Sequence, residues 1–524
     1  MADIVNVLDQ FTALVNSVPV ADSTQPILPP VKIMECDLVG EVNALLQGGD
    51  SIHSGDSADF GIAQVHAAYA SGELNARQLV EGLLSRIETR EPLIQGWVSI
   101  APDVLTSADN CDQSMPALLT EKPLLGIPIG IKDLIDVAGL PTLCGSRQTS
   151  NDLAINDSSA IARLRDAGAI IMGKTTTHEY AFGGTTPPTR NPWQPDTVPG
   201  GSSGGSGAVL GAGMVPGAIG TDTAGSVRIP ASYCGVVGFM GSHGHVPTDN
   251  IAVLAWSLDH VGAMARSVTD AARIHRVMAD LPVDPSAIAP SAIAPSAMAP
   301  MLPALPQTMG IPREALEPMH PSVRTAFDLT VDALRAHGVT FVDVPWPDPE
   351  LLEAVGFVLM MAESAAFHQN RMRSPELFDP QVAELLEAGS TVSAMDHLQA
   401  LRVQTQLAQW FDELFVTTPI LITPTLPCLP PPLGSDTFTP IDLGSVTQPL
   451  ATAHTRFTLA ANIAGSPAGS LPCGLQQGFP VGLQVMGRRG SDLRVLSVMG
   501  GIESVLAHEN LWQPGSISNQ FGGC

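Results

Sequence analysis

Residues 199–230 read "PGGSSGGSGAVLGAGMVPGAIGTDTAGSVRIP", a run of glycines carrying four serines, one acid and no lysine or histidine. A serine hydroxyl is a poor nucleophile until a base takes its proton. Histidine is the usual base, but a lysine serves if burial keeps it neutral. The segment "GIPIGIKDLIDVAG" (126–139) sets Lys132 directly after Ile-Gly-Ile, in a chain with only 25 Lys plus Arg. Taken alone, this segment is read more simply as a strand-end lysine that snorkels or pairs with Asp133.

Three other patterns suggest different chemistry. "GAIIMGKT" (168–175) satisfies G-x-x-x-x-G-K-[ST], yet its middle is Ala-Ile-Ile-Met. A phosphate loop must turn backbone N–H groups inward, so this stretch reads as a buried strand and Lys174 as no nucleotide ligand. "GGSSG" (200–204) satisfies G-x-S-x-G, the nucleophile elbow of a serine esterase, with His243, His260 and His454 as downstream base candidates. That elbow follows a strand, whereas the preceding "NPWQPDTVP" is broken by prolines. His243 and His245 form an H-x-H with no further ligands nearby to complete a metal site. No metal or other cofactor is expected.

The elements that must position these residues follow from pattern and punctuation. "LLGIPIGIKDLIDV", "AGAIIMGKTT" and "MVPGAIGTDT" are short apolar runs divided by glycine, with a helix-like segment at 158–168. Such alternation predicts an α/β sheet buried on both faces. "PILITPTLP" (419–427) and "PVGLQVMGR" (480–488) predict further strands, and 58–92, 321–337 and 380–416 predict helices. Residues 1–57 read as an N-terminal extension with an amphipathic opening, 58–520 as the catalytic domain, and about 305–416 as a helical excursion from it. "PSAIAPSAIAPSAMAP" (285–300) repeats every five residues and predicts a stiff, proline-spaced surface insertion.

Composition narrows the function classes. A net charge of −26 argues against nucleic acid or an anionic membrane as partner. Seven scattered cysteines with no C-x-x-C pair argue against a disulfide framework. No basic leader is visible, and no apolar run reaches the ~18 residues that span a bilayer. The expectation is a cytoplasmic monomer or homodimer acting on a small molecule.

The combination of "GIPIGIKDLIDVAGLPTLCGS" with "PGGSSGGSGAVLGAGMVPGAIGTDTAGSVRIPASYCGVVGF" resembles the amidase signature family, as do "RNPW" (190–193), "SLDHVGAMARSVTDAA" (257–272), "TPTLP" (423–427) and "FTLAANIAGSPAGSLPCG". The resemblance spans about residues 58–515. It implies the amidase-signature fold, a mixed central β-sheet sandwiched between helices (α/β/α). It also implies hydrolysis of an amide, or a related carbamate or anilide, by a Ser-Ser-Lys triad without a cofactor. Lys132 then matches the base, Ser202 the bridging serine that the family holds through a cis peptide bond, and Ser226 the nucleophile that forms an acyl-enzyme. The backbone N–H groups of Thr223, Ala224, Gly225 and Ser226 match an oxyanion hole, which gives the glycines a purpose, since bare backbone must face the developing charge. Ser203, Asp222 and Arg228 match supporting groups, and Tyr180, Gly200 and Gly201 are candidates for substrate binding.

The chain departs from the family pattern at Ala224, where a glycine is usual, and at Met240-Gly241-Ser242, where Lys-Pro-Thr is common. It is also short between "GGT" and "RNPW" (178–193). A glutaminase subunit of a tRNA-dependent amidotransferase is the alternative within the family. Those relatives carry an acid just before the Asn-Leu-Ala-Gly-like segment, where this chain has Thr455 and Arg456.

Overall fold

The computed structural model describes residues 2–21, 24, 28, 61–281 and 305–513. The five-residue repeat at 285–300 and most of the N-terminal extension lie outside the described residues. Among the described residues thirteen strands run in chain order: β1 Trp97–Ile100, β2 Pro128–Lys132, β3 Ile170–Thr175, β4 Gly217–Asp222, β5 Val237–Met240, β6 His260–Ala265, β7 Thr308–Ile311, β8 Thr340–Asp343, β9 Ile420–Pro424, β10 Pro440–Asp442, β11 Thr447–Pro449, β12 Ala468–Gln476 and β13 Phe479–Gly487. β10 and β11 form a separate hairpin, and the other eleven make one sheet in the order β1-β3-β2-β4-β6-β5-β12-β13-β9-β7-β8.

The sheet is mixed. β2 runs parallel to both β3 and β4, and β7 to both β8 and β9, while the remaining neighbours are antiparallel. Every residue of β2, β3, β4, β5, β6 and β9 is buried. These strands therefore read as unbroken apolar or glycine runs rather than alternating ones. Helices cover both faces, giving the mixed α/β sandwich that the sequence predicts.

Two readings need correction. The 305–416 stretch is not wholly helical, because β7 and β8 lie within it and extend the sheet to one edge. β8 has only one partner strand and is largely exposed, so it carries no apolar pattern to betray it. In addition, the helix Pro349–His368 is long and apolar enough to cross a membrane by length and composition, although no such run stood out in the sequence. Of its 18-residue apolar window, 67% is buried inside the protein, as in a core helix. The amphipathic helix Ala2–Ser17 packs on this helix and on Ala394–Thr417, burying Leu8 and Val15. The five cysteines among the described residues are all free thiols.

Candidate active site

Three neighbouring elements of one half of the sheet bring the candidate residues together. β2 ends on Lys132, β4 ends on Asp222, and the loop before the helix Gly204–Gly211 carries Ser202 and Ser203. Because β2 and β4 are parallel neighbours, their C-terminal ends lie side by side. Ligand sites in sheets of this kind form there.

Lys132 is fully buried, and its Nζ lies 2.8 Å from Ser202 Oγ and 2.8 Å from Thr221 Oγ1. Burial brings its ammonium down from 10.5 to about 7, against the opposing pull of Asp222, Asp259 and Cys144. The acid that follows it in sequence goes elsewhere. Asp133 pairs with Lys174 at 2.9 Å, both fully buried, so the lysine of the apparent phosphate loop is a strand residue held by an ion pair. The expected pairing of a lysine with Asp133 is thus made by Lys174 rather than Lys132.

The Gly201–Ser202 peptide is cis. The Ser202 carbonyl accepts from the His178 N–H at 3.1 Å and from Thr186 Oγ1 at 3.2 Å, which anchors the turn on two sides. Gly201 has no room for a side chain, since a Cβ there would sit 2.7 Å from the Gly184 carbonyl carbon. Ser203 Oγ bridges to β4, donating to the Thr221 carbonyl at 3.1 Å and accepting from the Thr221 N–H at 3.2 Å. The Ser203 N–H donates to the Ser226 carbonyl at 3.2 Å, so the two serine segments are tied directly.

The loop Thr223–Ser226 is shaped by Asp222. Its carboxylate accepts from the Gly225 N–H (2.8 Å), the Val227 N–H (3.1 Å), Arg228 Nε and Nη2 (3.0 and 2.8 Å) and Asn462 Nδ2 (2.9 Å). Burial alone would raise this carboxyl. Arg228 and these hydrogen bonds outweigh burial and hold it well below the usual carboxylate range. Arg228 in turn donates to the Thr458 carbonyl, Gln484 and Asn462 at 2.6–2.7 Å. Met240, at the first of the Met240-Gly241-Ser242 departures from the family pattern, places its sulfur 3.8 Å from Arg228 and 3.2 Å from Asn462, roofing this cluster. Asn462 and Gln484 were not singled out as site residues from the sequence. Asn462 lies in the noted segment "FTLAANIAGSPAGSLPCG" and Gln484 in "PVGLQVMGR", but nothing in either points to Asp222, more than 230 residues upstream.

One expectation for this loop changes. Gly225 has a φ of +124° and packs so closely on Thr458 that a Cβ would lie 2.5 Å from Thr458 Oγ1, so glycine is required there. Its N–H, however, is spent on Asp222. Of the four amides expected in an oxyanion hole, those of Thr223, Ala224 and Ser226 remain. Thr223 Oγ1 donates to Asp259 at 2.6 Å. Asp259 also accepts from the N–H groups of Leu254 and Ala255, and burial pushes its carboxyl up to about 6.

Ser226, Thr223, Ala224 and Gly201 open onto a cavity of ≈ 100 Å³. Gly200 is not among its lining residues, nor is Tyr180, which was expected to face substrate. The Tyr180 ring is instead buried edge-on against His368 at 4.3 Å, with Phe378 and the Arg371 guanidinium beside it. The histidines of the esterase reading are engaged elsewhere. His260 Nδ1 bonds the Leu258 carbonyl at 2.7 Å, His243 stacks edge-on against His260, and His454 Nε2 bonds Tyr233 Oη at 3.0 Å. Among the described residues none of the three is hydrogen-bonded to Ser202 or Ser226. His245, the other half of the H-x-H pair, bonds Asp492 at 2.9 Å.

A profile of the amidase family matches residues 78–496. The chain belongs to the amidase family. It is an amidohydrolase, and its sheet architecture is that of the family. An amidase of Pseudomonas putida is 37% identical over 79% of this chain and 89% of its own length. A glutamyl-tRNA(Gln) amidotransferase subunit from Chloroflexus aggregans is 34% identical over 83% of this chain and 94% of its own. A crystal structure of an amidase superposes with a TM-score of 0.77 at 30% identity, covering 85% of this chain and 99% of that one.

Proposed function

We propose that this amidase cleaves a carboxylic amide, or a related carbamate or anilide, through Ser226, Ser202 and Lys132. The observation that carries the reading is a buried lysine 2.8 Å from Ser202, its proton affinity brought to about 7 by burial so that it can stand uncharged. Ser226 Oγ attacks the carbonyl carbon. Its proton passes to Ser202 Oγ as the Ser202 proton passes to Lys132 Nζ. The carbonyl oxygen becomes an oxyanion facing the N–H groups of Thr223, Ala224 and Ser226, fixed in advance by Asp222 and Asp259. Collapse breaks the C–N bond, and the proton returns from Lys132 through Ser202 to the leaving nitrogen. Water then releases the acid from the Ser226 ester by the same relay.

A fluorophosphonate probe followed by peptide mass spectrometry tests this assignment. The expected adduct is on Ser226 and is absent in Ser226→Ala; an adduct on Ser202 overturns it. A hydrolysis screen across acetamide, an anilide, a carbamate and glutamine then ranks the substrates. Glutaminase activity within a larger assembly is the second reading, favoured by the relatives that are amidotransferase subunits. Against it stands the cavity wall, where Thr455 is found and, among the described lining residues, no Asp or Glu.

A further inference from the structure

The cavity over Ser226 has a wall chemistry that bears on what enters it. Phe357 and Met360 come from the helix Pro349–His368, Leu385 from Pro380–Gly389, and Leu450 from Leu450–Thr455, while Ile229 and Leu254 close the floor. Among the described residues lining it there is no Asp, Glu, Lys or Arg. Arg456, the nearest basic residue in sequence, is turned away, its guanidinium donating to the carbonyls of Ala315 and Glu317 and lying over Phe457. Beyond the reacting loop, the polar side chains on the wall are Thr437, Thr455 and His454.

His454 is the most constrained of these. Its Nε2 is held by Tyr233 Oη at 3.0 Å, and Tyr233 is in turn 3.2 Å from Cys428 Sγ. This leaves Nδ1 as the ring's other polar atom. It lies against Gly184, where a Cβ would come within 2.5 Å, and both residues line the cavity. Burial keeps the ring from charging, lowering it to about 3, so at neutral pH it offers one hydrogen-bonding nitrogen and no charge. The volume is also limiting. An apolar cavity of about 150 Å³ holds a benzene ring, so the ≈ 100 Å³ here, partly open to solvent, takes a short alkyl chain beside the scissile group.

We propose that the cavity selects amides whose substituent is uncharged and short, and that His454 Nδ1 is the specificity-determining contact for a neutral hydrogen-bonding group on that substituent. This rests on the Ser226 reading above. A zwitterionic substrate such as glutamine would have to strip water from an ammonium and a carboxylate with no opposite charge to receive either. An uncharged chain of the same length loses no such hydration. Its hydroxyl or ether oxygen, where present, meets a ring nitrogen already oriented by Tyr233.

The test is a charge series on similar chains: hexanamide, 5-hydroxypentanamide and 5-aminopentanamide, which are isosteric, with 5-carbamoylpentanoate and glutamine. A mirror series of N-substituted acetamides presents the same chains from the nitrogen side. The two neutral members of whichever series is turned over should exceed the charged ones in kcat/KM by at least ~10²-fold, the scale on which an apolar site rejects a group it cannot solvate. His454→Phe should lower the ratio of kcat/KM for the hydroxyl-bearing chain to that for the plain chain about tenfold. Fluorophosphonate labelling of Ser226 in every variant separates the two levels of the argument. Loss of labelling in the wild type overturns the catalytic reading. Intact labelling with charged chains turned over as fast as neutral ones overturns the selectivity, and an unchanged ratio in a His454→Phe enzyme that still labels overturns the role of His454.

Discussion

Replacing Lys132 by Met should make the protein more stable at neutral pH, by an amount that shrinks as the pH rises. Lys132 is fully buried and titrates near 7 when folded against 10.5 when solvated. Between these values the folded amine is neutral and the unfolded one protonated, so unfolding takes up a proton. Lowering the pH from above 10.5 therefore favours the unfolded state progressively, and the penalty levels off below about 7, where both forms are charged. At about 1.36 kcal/mol per unit, the contribution is about 1 kcal/mol at pH 10, about 2 at pH 9 and about 4 at pH 7. Methionine removes this slope. It also removes the contacts to Ser202 and Thr221, which adds an offset independent of pH. Urea unfolding of the wild type and Lys132→Met at pH 7, 8, 9 and 10 isolates the effect, since all other groups are common to both. The difference in stability should swing by about 3–4 kcal/mol in favour of the variant from pH 10 to pH 7. A difference that stays constant within ~0.5 kcal/mol would show that Lys132 is charged in the folded protein and refute the reasoning.

Ser226→Ala should lower turnover by at least ~10⁴-fold, while Ser202→Ala, which removes a relay and leaves the nucleophile, should cost about 10²–10³-fold, both read from kcat on an amide substrate. Asp222→Ala strands a fully buried guanidinium and should cost about 3–5 kcal/mol in urea unfolding. Gly201→Ala must displace the backbone at Gly184 and Thr185, and should reduce kcat about 10²-fold through misplacement of Ser202 with little change in secondary structure by circular dichroism. Deletion of 286–300, a proline-spaced repeat, should leave Tm and kcat nearly unchanged.

Much of the candidate site was legible because the segments that carry the family resemblance are compact, although the Lys132 segment alone reads as a strand-end lysine. A lysine closing an apolar strand and a glycine-serine loop are compact signals, and β2, β3, β4, β9 and β13 fall where short apolar runs place them. Long-range geometry was not legible. That Lys174 rather than Lys132 meets Asp133 depends on the register of β2 against β3, which no single segment encodes. The commitment of the Gly225 N–H to Asp222 is a property of a folded turn rather than of a motif. Tyr180 was a substrate-binding candidate through the family resemblance, yet its ring turns to His368 across the fold. β7 and β8 were absorbed into a helical stretch because each is only four residues long, and β8, at the sheet edge, buries too few positions to form a pattern.

The central claim is that a neutral Lys132, and no histidine, receives the nucleophile's proton. Its most direct test is the pH dependence of kcat/KM for a non-ionising amide in the wild type and in His243→Gln, His260→Gln and His454→Gln. The account predicts one rising ionisation near pH 7, retained in all three histidine variants and accompanied by no activity in Lys132→Arg, whose guanidinium stays protonated. A histidine variant that abolishes turnover and the ionisation together, with Lys132→Ala still active, would contradict it.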